Sequence, residues 1–204
     1  KNEDGEFLLD DNGRYIANSD LIKIGNYNPD FTLGWNNSFR YKNWNASFLF
    51  DWRQGGEIVS RTRALGNVGG QLAETAFRPD AGIVAQGANV STGQPNTVAV
   101  SAESYYRQFY DRNHEENNVY DASFLKLRQV SLGYVLNLEE GFLGLKDTSS
   151  MSFSFIGNNL FVITENPHFD PEQLAVQGNG FVSGVEDMSY ATSRSLGFKV
   201  GFNF

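Results

Sequence analysis

The chain has 204 residues, 40% of them hydrophobic and 14% aromatic, with 24 acidic against 16 basic residues and a formal net charge of −8. That acidity excludes nucleic acid or an anionic surface as a partner held by charge, because both require a basic patch. There is no cysteine and only two histidines, His114 and His168, so disulfides, thiolate metal sites and cysteine nucleophiles are excluded and no metal centre or cofactor is expected.

No run of about 18 apolar residues occurs, so no helix of this chain spans a bilayer. Strands need only about 9–11 residues, apolar at every second position, and escape hydropathy averaging. The chain opens at Lys1 in a polar stretch with neither an initiator Met nor a signal sequence, and it is expected to be a piece of a larger protein.

Five segments alternate with the period of a strand. In FTLGWNNSFRYK, Phe31, Leu33, Trp35, Phe39 and Tyr41 share one parity against Thr32, Gly34, Asn36, Ser38 and Arg40. In NWNASFLFDWRQ, Trp44, Ala46, Phe48, Phe50 and Trp52 oppose Asn45, Ser47, Leu49, Asp51 and Arg53, and Lys42-Asn43 between the two segments reads as a hairpin turn. The third, YDASFLKLRQVSLGYVL, sets Val130, Leu132 and Tyr134 against Gln129, Ser131 and Gly133. Leu125 and Leu127 have the opposite phase, which a β-bulge near Arg128 explains. The fourth, SSMSFSFIGNNLFVI, begins with Met151, Phe153 and Phe155 in phase and then loses it. The last, SRSLGFKVGFNF, carries Leu196, Phe198, Val200, Phe202 and Phe204 on one face.

These give strands near 31–42, 43–55, 119–136, 149–163 and 191–204. The connections are alternately short and long, with long loops at 1–30, 56–118 and 164–190. Short turns at one end and long loops at the other match outer-membrane barrels, which places the C-terminus on the periplasmic side and the long loops outside. Facing the apolar residues are Ser, Asn, Gly, Thr, Arg and Asp rather than a Val/Leu core, which fits lipid outside and a wet lumen inside. The fold class is therefore all-β: a segment of an antiparallel transmembrane β-barrel with long extracellular loops. A secreted carbohydrate-binding β-sandwich with an aromatic face is the alternative. Within the longest loop, SRTRALGNVGGQLAETAF should form one or two short helical turns interrupted by Gly66, Gly69 and Gly70.

Read in order, IGNYNPDFTLGWNNSFRYKNWNASFLFDWRQGG, VYDASFLKLRQVSLGY, GNNLFVIT…DPE and SRSLGFKVGFNF resemble the C-terminal barrel of SusC-like (RagA-type) TonB-dependent transporters of Bacteroidota, from about Ile24 to Phe204. The resemblance implies a plugged barrel of about 22 strands, of which this chain supplies about the last five. It also implies import of oligosaccharides or peptides beneath a SusD-like lipoprotein lid, energised by TonB through an N-terminal part outside this chain. Further implied partners are the remaining strands and plug of the same barrel, the lipid bilayer, and the barrel-assembly machinery, which would read Phe198, Val200, Phe202 and the final Phe204. Where the family often carries an Asp/Asn/Gly-rich run, DDNGRYIANSD places Arg14 and Tyr15 at positions a calcium loop fills with oxygen ligands and glycine, so no calcium is expected there.

Individual residues point to contacts rather than catalysis. Asp51 and Arg53 share the polar face of their strand, as a lumenal ion pair, a plug contact or a lining of the substrate path. Tyr105, Tyr106, Phe109 and Tyr110 form an aromatic cluster in the longest loop, placed to meet a ligand, to pack the loop onto the lid or to fold under the loop. Asp170 and Glu172 in HFDPE are a carboxylate pair, but turn formers surround them and no rigid platform is evident, so a hydrolase is not expected. His114, Glu115 and Glu116 in NHEENN read as solvated loop charges.

Overall fold

The computed structural model describes residues 1–18, 20–138, 149–166, 169–177 and 179–203. The chain divides into two compact units. One comprises Asn28–Gly56, Asp121–Pro171 and Tyr190–Phe204, the other Lys1–Tyr27, Glu57–Tyr120 and Glu172–Ser189.

The first unit is a five-stranded antiparallel sheet built from β1 (Phe31–Tyr41), β2 (Trp44–Gln54), β3 (Phe124–Asn137), β4 (Ser150–Thr164) and β5 (Ser195–Asn203). The spatial order is β5-β4-β3-β2-β1. Lys42, at φ 51, and Asn43 close the β1–β2 hairpin, since a two-residue turn between twisted strands needs a left-handed residue. The β3–β4 connection includes 139–148, which lies outside the described residues. The long connections, from β2 to β3 and from β4 to β5, leave from the opposite end of the strands.

Register brings the apolar residues into continuous rows. Tyr41, Trp44 and Tyr134 stand side by side, and the Trp44 and Tyr134 rings lie 4.8 Å apart. Near the other end Leu33, Trp52, Leu125 and Ile163 align, with Phe31 edge-on to Trp52 at 5.0 Å. Trp35 packs between Phe48 and Phe50 midway along β1, away from both aromatic ends. Asn37, opposite Phe48, is the polar interruption of this face on β1. The face is open: Leu196, Phe198 and Phe202 are 65%, 67% and 63% exposed. From Phe31 to Tyr41 β1 holds 11 residues. At about 3.4 Å per residue and a tilt of about 40° that run rises roughly 26 Å, close to the ~25 Å apolar band of an outer-membrane wall.

The phase slip in the third segment is a bulge. Leu49 pairs with Gln129 and Phe50 with Leu127, so Arg128 is the extra residue. The fourth segment slips at the same level, where Asn158 pairs with Gln129 and Phe161 with Leu127. Two residues of β4, Asn159 and Leu160, there face the single Arg128, and Asn159 takes a φ of 50. The two irregularities keep Leu125, Leu127, Phe161 and Ile163 on the apolar side although the local alternation fails.

The second unit is mostly short elements. Its center is the strand Glu57–Ser60, which pairs in parallel with Val185–Glu186 and runs directly into helix α1 (Arg61–Gly69). Ser60 caps α1 by accepting the Arg63 N–H, and Gly70, at φ 63, ends it. A 3₁₀ turn follows at Ala73–Ala76, and helix α2 spans Ala102–Arg107, capped by Ser101. The core is small: Leu9, Ile58, Ala64, Ile83, Ala85, Ala88 and Tyr106 are buried.

Candidate functional site

Among the described residues the polar face of the sheet carries two ion pairs. Arg128, inserted by the bulge, reaches across to β2, where its Nη2 and Nε lie 2.6 and 3.0 Å from one oxygen of Asp51. Asp51 is thus held by a neighbouring strand, and Arg53 follows it on the same face, in register with Thr32 and Phe124. The second pair is nearly dry. Lys126 Nζ sits 2.6 Å from Asp170 with both side chains buried. The other carboxylate oxygen of Asp170 accepts the Thr192 N–H at 3.2 Å and the Thr192 hydroxyl. Asp170 therefore ties the connection preceding β5 to β3, the role of a brace rather than a proton donor, because a buried charge is stable only when fully partnered. Between these groups, Gln129 donates to Asn158 and Asn158 to Ser195, at 3.3 and 3.1 Å, forming a polar ladder from β3 to β5.

In the other unit the loop aromatics take different positions. Tyr105 is 5.3 Å from both Tyr106 and Phe109, and Tyr15 joins them with Phe7 behind it. Tyr106 is buried, its hydroxyl 2.7 and 3.0 Å from the carbonyls of Glu74 and Phe77. Burial, and then the neighbouring Tyr105, push its phenol pKa up. Tyr110 is exposed and offers its ring 4.7 Å beneath the Arg61 guanidinium. Arg61 is fixed in turn by Glu115 at 2.5 Å and by the Tyr110 carbonyl. Tyr106 therefore anchors the loop, while Tyr110 remains available to a partner.

Sequence periodicity did not identify Tyr15, Arg61 or Glu186. Glu186 is fully buried and accepts from the Ser60 hydroxyl at 2.9 Å, from the Thr62 hydroxyl and from the Ser189 N–H at 3.4 Å. Its charge lies at the start of α1, where the unpaired N–H groups favour an anion. The available signal was the Ser60 cap followed by Thr62. Asp10 spends its carboxylate on a turn, accepting the N–H groups of Asn12 and Arg14 at 2.9 Å each. Among the described residues no group of three or more His, Cys, Asp or Glu side chains converges as a metal site.

On the terminal strand, Phe198, Val200 and Phe202 face the same side as their neighbours Phe155, Phe153 and Met151. Phe204 and His168 lie outside the described residues.

No family model matches the chain. It is 32% identical over 199 residues to TonB-dependent receptor P3 of Formosa agariphila, covering 96% of this chain and 18% of that protein. TonB-dependent receptor P39 of the same organism is 28% identical over 205 residues, covering 99% of this chain. The chain thus spans under a fifth of the length of the curated relatives it matches, 18% in each case. Among solved structures it is similar to the RagAB peptide importer in its open-open state, at a TM-score of 0.53 and 19% identity, covering 87% of this chain and 17% of that one. The closed-closed state aligns at a TM-score of 0.51 and 18% identity, covering 95% and 20%. At these identities the structural likeness concerns the fold.

Proposed function

Since the chain is homologous to TonB-dependent receptors over nearly all of its length, we propose that it forms the C-terminal part of the barrel wall of an outer-membrane importer. The cargo would be nutrient oligomers, oligosaccharides or peptides, taken up with a SusD-like lipoprotein lid and with TonB acting on a part outside this chain. The observation that carries the reading is the sheet itself. One face is a continuous, open surface of aromatic and aliphatic side chains, and the other is small and polar and carries the Asp51–Arg128 and Lys126–Asp170 ion pairs. Neither face suits a water-filled sandwich, whereas lipid solvates the first and a wet lumen the second. The open edges of β1 and β5 call for further strands, because backbone groups cannot stay unpaired in hydrocarbon.

In this reading the C-terminus is periplasmic and the segments 56–118 and 164–190 face outward. Asp51, Arg128 and Arg53 line the lumen against plug or cargo. Phe198, Val200 and Phe202, with Phe204, present the strand to the assembly machinery.

Single-cysteine labelling tests the proposal, since this chain has no cysteine of its own. In the membrane-embedded protein, cysteine at Lys199 should react with a small aqueous maleimide and cysteine at Phe198 should not. The reverse pattern would sink the reading, as would a full-length protein that stays monodisperse without detergent. Removing Phe204 should lower the amount of folded protein in the outer membrane, and unchanged levels would end its role as an assembly signal.

A further inference from the structure

One row of residues crosses the apolar face of the sheet: Leu196, Gly157, Val130, Phe48 and Asn37, paired in that order from β5 to β1. Leu196, Val130 and Phe48 are apolar and Gly157 has no side chain, so the row turns polar only at Asn37. Asn37 lies between Trp35 and Phe39 on β1, half-buried, and at the rise and tilt given above it sits roughly 10 Å from the nearer end of the strand. Among the described residues its side-chain amide makes no hydrogen bond. Hydrocarbon offers it no substitute for lost hydration, and the side chain is too short to reach the headgroups. The geometry leaves one direction from which a partner can come. Phe48, facing it on β2, has no hydrogen-bonding group. A side chain as short as Asn reaches only the adjacent strand, where facing Cβ atoms stand about 4.5–5.5 Å apart. On its other side β1 is the open edge of the sheet.

We propose that the strand adjoining the open edge of β1 in the full-length protein carries an uncharged hydrogen-bonding side chain, a hydroxyl or an amide, directly opposite Asn37, and that the two form a polar rung fixing the alignment of that seam. The inference rests on the reading of the sheet as barrel wall, and it assigns a chemistry to one position of the strand that must continue it. A neutral group suits the site better than an ion, because a charge at this depth is costlier than an amide. An acyl chain has no donor or acceptor to offer. The rung does what the apolar residues of the row cannot. A one-residue slip would turn every side chain to the wrong face, so the alternation itself guards against it. A two-residue slip keeps the apolar side chains toward lipid, and only a specific contact distinguishes it from the correct pairing. A single polar Asn in an apolar seam sets the register of a coiled coil in the same manner.

The test begins with the full-length protein, freed of other cysteines, carrying Asn37→Cys and a second cysteine moved residue by residue along the strand that adjoins β1. Directly opposite residues lie within disulfide reach, so one position should cross-link within the molecule, and the residue native to it should be Ser, Thr, Asn or Gln. Asn37→Leu should then lower the ratio of folded to unfolded protein about tenfold, because it strands the partner in hydrocarbon. Leucine at both positions should recover most of that loss, since removing both polar groups leaves neither unpaired. An amide without a partner predicts the opposite sign, because lipid solvates leucine better than asparagine. A gain in stability from Asn37→Leu, a cross-link opposite an apolar residue, a cross-link only between two molecules, no cross-link at all, or no recovery in the double variant would each overturn the inference. Failure of the wall reading is separable from these results. If cysteine at Phe198 is shielded from aqueous maleimide, they refute the rung alone. If it reacts while cysteine at Lys199 does not, the wall reading itself falls.

Discussion

The two units of this chain keep their backbones satisfied by opposite means. The sheet does it by repetition. Each strand pairs along its length, side chains alternate in register, and the apolar residues of the face remain exposed among the described residues. The loop unit has little regular structure and depends on individual side chains. Ser60, Glu186, Arg61 and Asn118 each hold backbone or side-chain groups that a longer helix or strand would have paired within itself. A wall gains stability from its solvent and its neighbours, whereas the loop unit depends on a few buried polar contacts. Mutations should therefore behave differently in the two.

The largest effect is expected on the outward face. Phe155 lies between Leu132 and Phe198, away from both strand ends. Phe155→Arg should destabilise the folded barrel by about 2–4 kcal/mol, the penalty for a cation near mid-membrane. It should show as loss of the heat-modifiable band on gels, while Ser154→Arg on the polar face should be tolerated. Similar behaviour of the two would erase the difference between the faces. Next comes Glu186→Ala, which strips the Ser60 and Thr62 hydroxyls of their acceptor and should cost the loop unit about 1–3 kcal/mol. Hydrogen exchange should rise across 57–64 and 185–189 without any shift in the heat stability of the sheet. An equal change in both would mean the units melt as one.

Asp51→Ala should be milder, about 1 kcal/mol, because the Asp51–Arg128 pair is partly exposed and water can replace the lost carboxylate. A double-mutant cycle with Arg128→Ala measures the coupling, and a value near zero would show the pair to be incidental. The smallest effect concerns acid. The Arg14 N–H, more than any other group, lowers the Asp10 pKa. The carboxylate form therefore supports the turn at any pH above the unfolded value of about 3.9, and that support disappears as pH falls through the lower folded value. Exchange protection of residues 8–16, corrected for intrinsic rates, should be unchanged from pH 7 to about pH 5 and should fall only in stronger acid. Loss already at pH 6 would point to another group.

The sheet was readable because its period is simple. Phe198, Val200 and Phe202 declare their face by parity alone, and the slip between Leu127 and Val130 marks the bulge in the sequence itself. The consequence of that bulge was not readable. It turns Arg128 toward Asp51, a pairing that requires knowing that β2 and β3, far apart in sequence, are neighbours. In the fourth segment the loss of phase was visible, but its cause, Asn159 at positive φ, was not. The loop unit resisted for a different reason. Tyr105, Tyr106, Phe109 and Tyr110 look alike in sequence, and only the carbonyls of Glu74 and Phe77 separate the anchor from the exposed ring. Contacts of that kind carry no period.

The order in which the wall forms follows from its connections. The β1–β2 and β3–β4 pairs are joined by near neighbours in sequence, so each can zip soon after its turn closes. The β2–β3 seam must wait while the ends of a long connection find each other, a search whose entropy grows with loop length. Asp51 and Arg128 lie on opposite sides of that seam, and their ion pair forms only when the offset set by the bulge is correct. The pair thus acts as a proofreading mark, confirming that two independently formed hairpins have met in the right alignment.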